Sequence, residues 1–172
     1  MKTWNTAFPP VLAKLHQLEF DYDDGEEIEF EPYQAFLSPE ENADWIKAWT
    51  GNASIDGSQF RIFGQDGTGG YAALWLTNPE KVLEEQPVVF LGSEGETGVV
   101  AGNLDEYLWL LAAGIGPMEA VEYPGQDREP NPQFTEFARM NSKVAAMNGA
   151  EVIARANAAY PSFSQYIRSL CC

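Results

Sequence analysis

The stretch from Gln59 to Gly114 decides what this chain can become, because its apolar residues change period part-way along. Three apolar runs, Phe60–Phe63, Tyr71–Leu76 and Val88–Leu91, are followed by a shorter one at Val99–Ala101. Each is bounded by Gly, Asp, Asn or Pro, the pattern of strands joined by turns. Beyond Asn103 the period becomes helical: Leu104, Tyr107, Leu108, Leu111 and Ile115 fall on one face. Asn103 and Glu106 have the spacing of a capping box, in which the Asn takes an orphan helical N–H and the Glu reaches back to the cap. Tyr71–Leu76 and Val88–Leu91 are apolar on both faces, which marks central strands. The expectation is a small, mostly antiparallel sheet delivered onto a helix.

Helix signals surround this frame. Pro9-Pro10 precede Val11, Leu12, Leu15 and Leu18 at helical spacing, with proline at the start of the helix. Ser38, Pro39 and Glu41 predict a capped helix that carries Trp45, Ile46 and Trp49 toward the core and stops at Gly51. A loop with Asp56-Gly57 as its turn follows. After Gly114 the chain is expected to pass through Gly116-Pro117 and a loop of Pro124, Gly125, Pro130 and Pro132, with no helix between them. Phe134, Phe137, Ala138, Met140 and Val144 predict a helix ending near Asn148-Gly149, and two further helices cover Val152–Tyr160 and Phe163–Leu170. There is no internal repeat, and the loop at Tyr123–Pro132 is too short to separate domains. The 172 residues, 45% of them hydrophobic, suffice for one core. The fold class expected is α+β: a single domain over 1–172, with five to six strands packed by several helices.

The formal net charge is -16. That argues against a nucleic-acid or anionic-membrane binder, since phosphate contacts need clustered Lys and Arg. It favours a basic partner, or simple solubility. The charge is concentrated from Glu19 to Glu31, where eight acidic residues occur with no basic one. Phe20 and Tyr22, then Ile28 and Phe30, alternate with acids about an Asp24-Gly25 turn, which predicts a hairpin with an apolar face and a carboxylate face. Like charges across strands cost up to ~1 kcal/mol per pair. Such a face works against its own fold, so it binds a partner, deters edge aggregation or holds a cation.

Reactive chemistry is poorly supplied. His16 is the only histidine and is expected at the surface or as a cap. The two cysteines, Cys171 and Cys172, are adjacent, unlike a disulfide framework, and are expected as free thiols of a cytoplasmic protein. A calcium loop starting at Asp21 fails, because Gly25 falls at its fifth position and Pro32 at its twelfth. The glycine-rich run 65–70 leads into a strand and lacks a Lys, so it is a turn rather than a phosphate loop. Ser93 is no nucleophile elbow, since Leu91 stands where Gly is needed. No apolar run reaches the ~20 residues of a membrane span, and Pro9-Pro10 interrupt any leader-like segment. Metals and cofactors are not expected. A carboxylate-pair hydrolase stays open as an alternative, though no isolated carboxyl stands in an apolar run.

The segments GQDGTGGYAALW, PVVFLGSEG and VVAGNLDEYLWLLAAG, from about Phe60 to Gly114, together resemble the SUKH superfamily. That superfamily covers bacterial toxin-immunity proteins and the Smi/Knr-type regulators of fungal cell-wall synthesis. The resemblance implies a non-enzymatic protein that binds and neutralises a toxin, often a nuclease, or a regulatory domain with an endogenous partner. A basic toxin domain agrees with the charge. The candidate partner-binding residues are Asp21, Asp23, Asp24, Glu26, Glu27, Glu29 and Glu31 on the hairpin, and Asp66, Glu94 and Glu96 in the turns.

Overall fold

The computed structural model describes residues 7–20 and 28–172. Five strands form one antiparallel sheet in sequence order: β1 (Glu31–Pro32), β2 (Phe60–Gln65), β3 (Tyr71–Trp75), β4 (Val88–Leu91) and β5 (Thr97–Ala101). β3 is the middle strand, as its two apolar faces predict. Alternate residues feed two cores. Ala72, Leu74, Val88, Phe90 and Val100 face one side; Ile62, Ala73, Val89, Leu91 and Val99 face the other.

Among the described residues seven helices cover these faces. The first side takes α1 (Pro10–Leu15), α3 (Leu104–Ala112), α4 (Pro117–Glu122) and α5 (Pro132–Asn141), through Leu12, Leu108, Met118 and Phe134 among others. The second takes α2 (Pro39–Thr50) and α7 (Phe163–Leu170), through Ile46, Phe163 and Ile167. α6 (Gly149–Ala159) packs along β5 and serves both cores, Val152 on one side and Ala156 on the other. The fold is therefore α+β in three layers. No helix among the described residues is long and apolar enough to cross a membrane.

Local chemistry explains the ends of these elements. Ser38 and Glu41 complete a reciprocal capping box on α2, and Gly51 stops it in the left-handed region at φ 69°. Asn103 accepts the Glu106 N–H at 2.8 Å as expected, but Glu106 reaches one residue further back, to Gly102 N–H at 3.1 Å. Its other oxygen accepts from Arg155 of α6 at 2.8 Å, so this carboxylate ties β5, α3 and α6 together.

Four expectations need correction. The loop expected after Gly116 contains α4, a single short helix opened by Pro117. The helix expected to run to Asn148 stops at Asn141, because the next backbone groups find partners on α3: Lys143 N–H donates to the Asp105 carboxylate at 2.9 Å, and Val144 C=O accepts from the Trp109 indole at 3.1 Å. The second limb of the expected hairpin pairs with β2 through Glu31 and Pro32, while Ile28–Phe30 lie outside any strand. The hairpin's tip at 21–27 lies outside the described residues. Finally, His16 is buried, 4% exposed, among the rings of Phe8, Phe20, Phe30 and Phe63.

Candidate functional site

One row of paired residues crosses the whole sheet: Glu31 opposite Gln65, Gln65 opposite Tyr71, Tyr71 opposite Leu91, and Leu91 opposite Thr97. The β2–β3 turn and the β4–β5 turn both leave the sheet from this row. Glu31, Asp66, Glu94 and Glu96 therefore share one end of the molecule although they stand far apart in sequence. Glu29 joins them. The Glu29 carboxylate lies over Gly67 where a Cβ would stand, so the glycine lets that side chain rest on the turn in this position. Glu96 folds over Gly92 in the same way.

α4 brings two acids that the sequence reading missed. The Glu29 N–H donates to Glu119 Oε1 at 3.0 Å. Glu122 shares a hydrogen bond with Glu96. Burial first, then that hydrogen bond and the charges of Glu96, Asp66 and Glu119, raise the Glu122 carboxyl above the usual range. Glu119 is 3% exposed, and its Oε2 is buried with no partner. Burial raises its carboxyl too, against the opposing pull of the Glu29 N–H and of Arg128. A raised carboxyl is what a general acid needs, but Glu119 lines neither cleft at this end of the molecule. Only its place on the inner side of α4 gathers it here, and no periodicity of a six-residue helix would have announced it.

The expected site residues separate as follows. Glu31 and Glu94 are exposed, and Glu96 is half-buried. Glu31 accepts from the Gln65 side chain at 3.0 Å. Asp66 is withdrawn from the surface: it is 3% exposed, and its carboxylate accepts from Gly70 N–H at 2.7 Å, Thr68 hydroxyl at 2.7 Å and Thr68 N–H at 3.3 Å. It stitches the turn and cannot dock a partner. Asp21, Asp23, Asp24, Glu26 and Glu27 lie outside the described residues. The ion pairs between described residues, Glu136–Arg139 and Glu106–Arg155, both lie elsewhere. Glu29, Glu31, Glu94, Glu96, Glu119 and Glu122 thus have no cationic mate within 4.0 Å among the described residues.

Two clefts open here. One of about 760 Å³ lies between Trp49, the β4–β5 turn and α7, with Glu94, Glu96 and Arg168 on its walls. A second of about 460 Å³ lies between Ile28–Glu31 and the β2–β3 turn. Among the described residues no group of three or more His, Cys, Asp or Glu is arranged to hold a metal ion. No protein-family model, no curated protein and no solved structure matches the chain.

The buried carboxyl gives a test of this geometry. A folded-state proton affinity raised above the unfolded one stabilises the fold at low pH, and that contribution is lost as pH rises. Glu119→Gln keeps an acceptor for the Glu29 N–H and removes the buried charge. The variant should be more stable than wild type by about 1 kcal/mol at pH 8, the scale of a buried group left partly unpaired. The gain should vanish by pH 4. Urea unfolding at both pH values checks it, and a variant weaker than wild type at pH 8 would refute the assignment.

Proposed function

We propose that this chain is a non-enzymatic binding protein that docks a basic protein partner on the acidic end of its sheet, in the manner of the toxin-immunity proteins its sequence resembles. One observation carries the reading. Exposed or half-exposed carboxylates from the β1 strand, the segment before it, the β4–β5 turn and α4 converge with no cationic mate among the described residues. Uncompensated like charges oppose folding. They become useful when a partner supplies the counter-charge, because complementary fields speed encounter and select against wrong partners. A basic nuclease toxin covered where phosphate would sit fits this surface.

The experiment uses two baits, wild type and the triple variant Glu31→Gln, Glu94→Gln, Glu96→Gln, with capture from cells of the source organism at low salt. The expected result is a basic protein held by wild type, lost on the variant, and released by added salt. Co-expression should then relieve growth arrest caused by that protein. Equal capture on both baits would remove this surface from the function. A captured partner that arrests no growth would move the reading to a regulatory domain of the Smi/Knr type.

A further inference from the structure

Beside the acidic end, on the side covered by α2 and α7, four half-buried rings follow one another. Tyr33 and Tyr71 are 6.5 Å apart, Tyr71 meets Trp45 edge-on at 4.6 Å, and Trp45 stacks on Trp49 at 5.4 Å and 16°. Both ends are tied down. The Tyr33 hydroxyl donates to Gln65 Oε1 at 2.6 Å, and the Trp49 indole N–H donates to Gly92 C=O at 2.7 Å. Acids stand at both ends as well. Glu31 and Glu41 act on Tyr33 through their charge, and Glu94 and Glu96 share the 760 Å³ cleft with Trp49.

We propose that this row takes arginine side chains from an extended segment of the partner. The inference rests on the docking reading above and names the chemistry of what docks. Indole and phenol faces attract cations, arginine more often than lysine, because a planar guanidinium stacks while its edge still bonds to carboxylates. Tyr and Trp are also the residues that most often dominate interface energetics. Rings already fixed by hydrogen bonds lose little freedom on binding. Four rings in series, with carboxylates at either end, match a strand-like segment bearing arginines at intervals. The chain's own Arg168, on the wall of the Trp49 cleft, opposes an incoming cation.

The test uses a nine-residue peptide alternating Arg and Ser, with Lys-Ser and Glu-Ser peptides as comparisons, titrated by calorimetry and by tryptophan fluorescence. Wild type should bind Arg-Ser about fivefold tighter than Lys-Ser and should not bind Glu-Ser. Trp45→Leu should weaken Arg-Ser binding about tenfold and Trp45→Phe less, within the range of partly exposed cation–π contacts. Arg168→Gln should tighten it about twofold. Arg168 is a surface residue near the end of α7, so this variant tests the idea even if Trp45→Leu fails to fold. Absence of Arg-Ser binding, or equal Arg and Lys affinity unmoved by Trp45→Phe and Arg168→Gln, would overturn the inference. If Glu94→Gln with Glu96→Gln still weakens capture of the partner, the docking reading survives that failure. If these leave capture unchanged as well, both readings fall.

Discussion

Between pH 6.5 and pH 4 the folded chain should lose about 3 kcal/mol of stability through one side chain, His16. Burial among Phe8, Phe20, Phe30 and Phe63 drops its proton affinity from 6.5 to about 4, although the bond to the Tyr33 carbonyl pulls the other way. Nδ1 carries the proton that it donates to that carbonyl, which leaves Nε2 as the site that would protonate. Nε2 is buried with no partner. The unfolded chain takes up a proton below 6.5, whereas the folded chain does not until about 4. Stability is therefore full above 6.5 and falls as pH drops through that window, at about 1.36 kcal/mol per unit of difference. His16→Phe isolates the effect, because every other titration is common to both proteins. At pH 7 the variant should be less stable by about 1–3 kcal/mol, since the Tyr33 carbonyl loses its donor. The gap should close or reverse by pH 4. Urea unfolding at pH 7, 5.5 and 4.5 measures it, and parallel stability curves would rule out a buried neutral imidazole.

His16 also shows where the sequence stops being informative. A lone histidine one residue past a short helix looks like a solvated cap, and its backbone does end α1. Phe20, four residues on, is a local neighbour, but the ring is buried because Phe30 and Phe63 also arrive, from two distant segments, and no local pattern encodes that meeting. The strands behave differently. Val88–Leu91 has the bounds its apolar run predicts, and β2, β3 and β5 differ from theirs by one or two residues, because period and turn glycines are local signals. The helix-start signals at Ser38 and Asn103 hold for the same reason. α5 ends early because Asp105 and Trp109, some 35 residues before, claim its next backbone groups. The site divides along the same line. That Glu29, Glu31, Glu94 and Glu96 are acids is plain in the sequence; that one β-sheet row brings them together is not. Asp66 looks like its neighbours in sequence, yet it is spent on Thr68 and Gly70. Trp45 and Trp49, expected in the core, pack against its edge half-buried, while Asn42, Ile46 and Thr50 are the buried residues of α2.

Removing three charges at the acidic end, Glu31→Gln with Glu94→Gln and Glu96→Gln, should slow association with the captured partner at least tenfold at low salt. Dissociation should change less, since charges at an interface rim act mainly on encounter. The steering field is screened over ~8 Å at physiological ionic strength, so the wild-type rate should fall steeply with salt and the variant's rate should be flatter. Net charge alone predicts none of this selectivity. The control removes three exposed acids elsewhere, with Glu80→Gln, Glu85→Gln and Glu151→Gln, and shifts the -16 total equally. Glu80 and Glu85 lie on the connection between β3 and β4, at the opposite end of the sheet from the acidic row. If steering is set by where the charges sit, the control should associate within about twofold of wild type at physiological ionic strength, where exposed charges beyond ~8 Å are largely screened. Folding gives a second, independent sign. Glu31, Glu94 and Glu96 have no cationic mate among the described residues, so their loss should leave stability unchanged or slightly higher as like-charge repulsion is relieved. A triple variant that associates as fast as wild type would show that the acidic end keeps the chain dispersed in water and does not recruit its partner. Slowing by the control of the same size would assign the effect to total charge. Only a loss confined to the row that begins at Glu31 and ends at the β4–β5 turn makes the sheet's register the device that builds the binding surface.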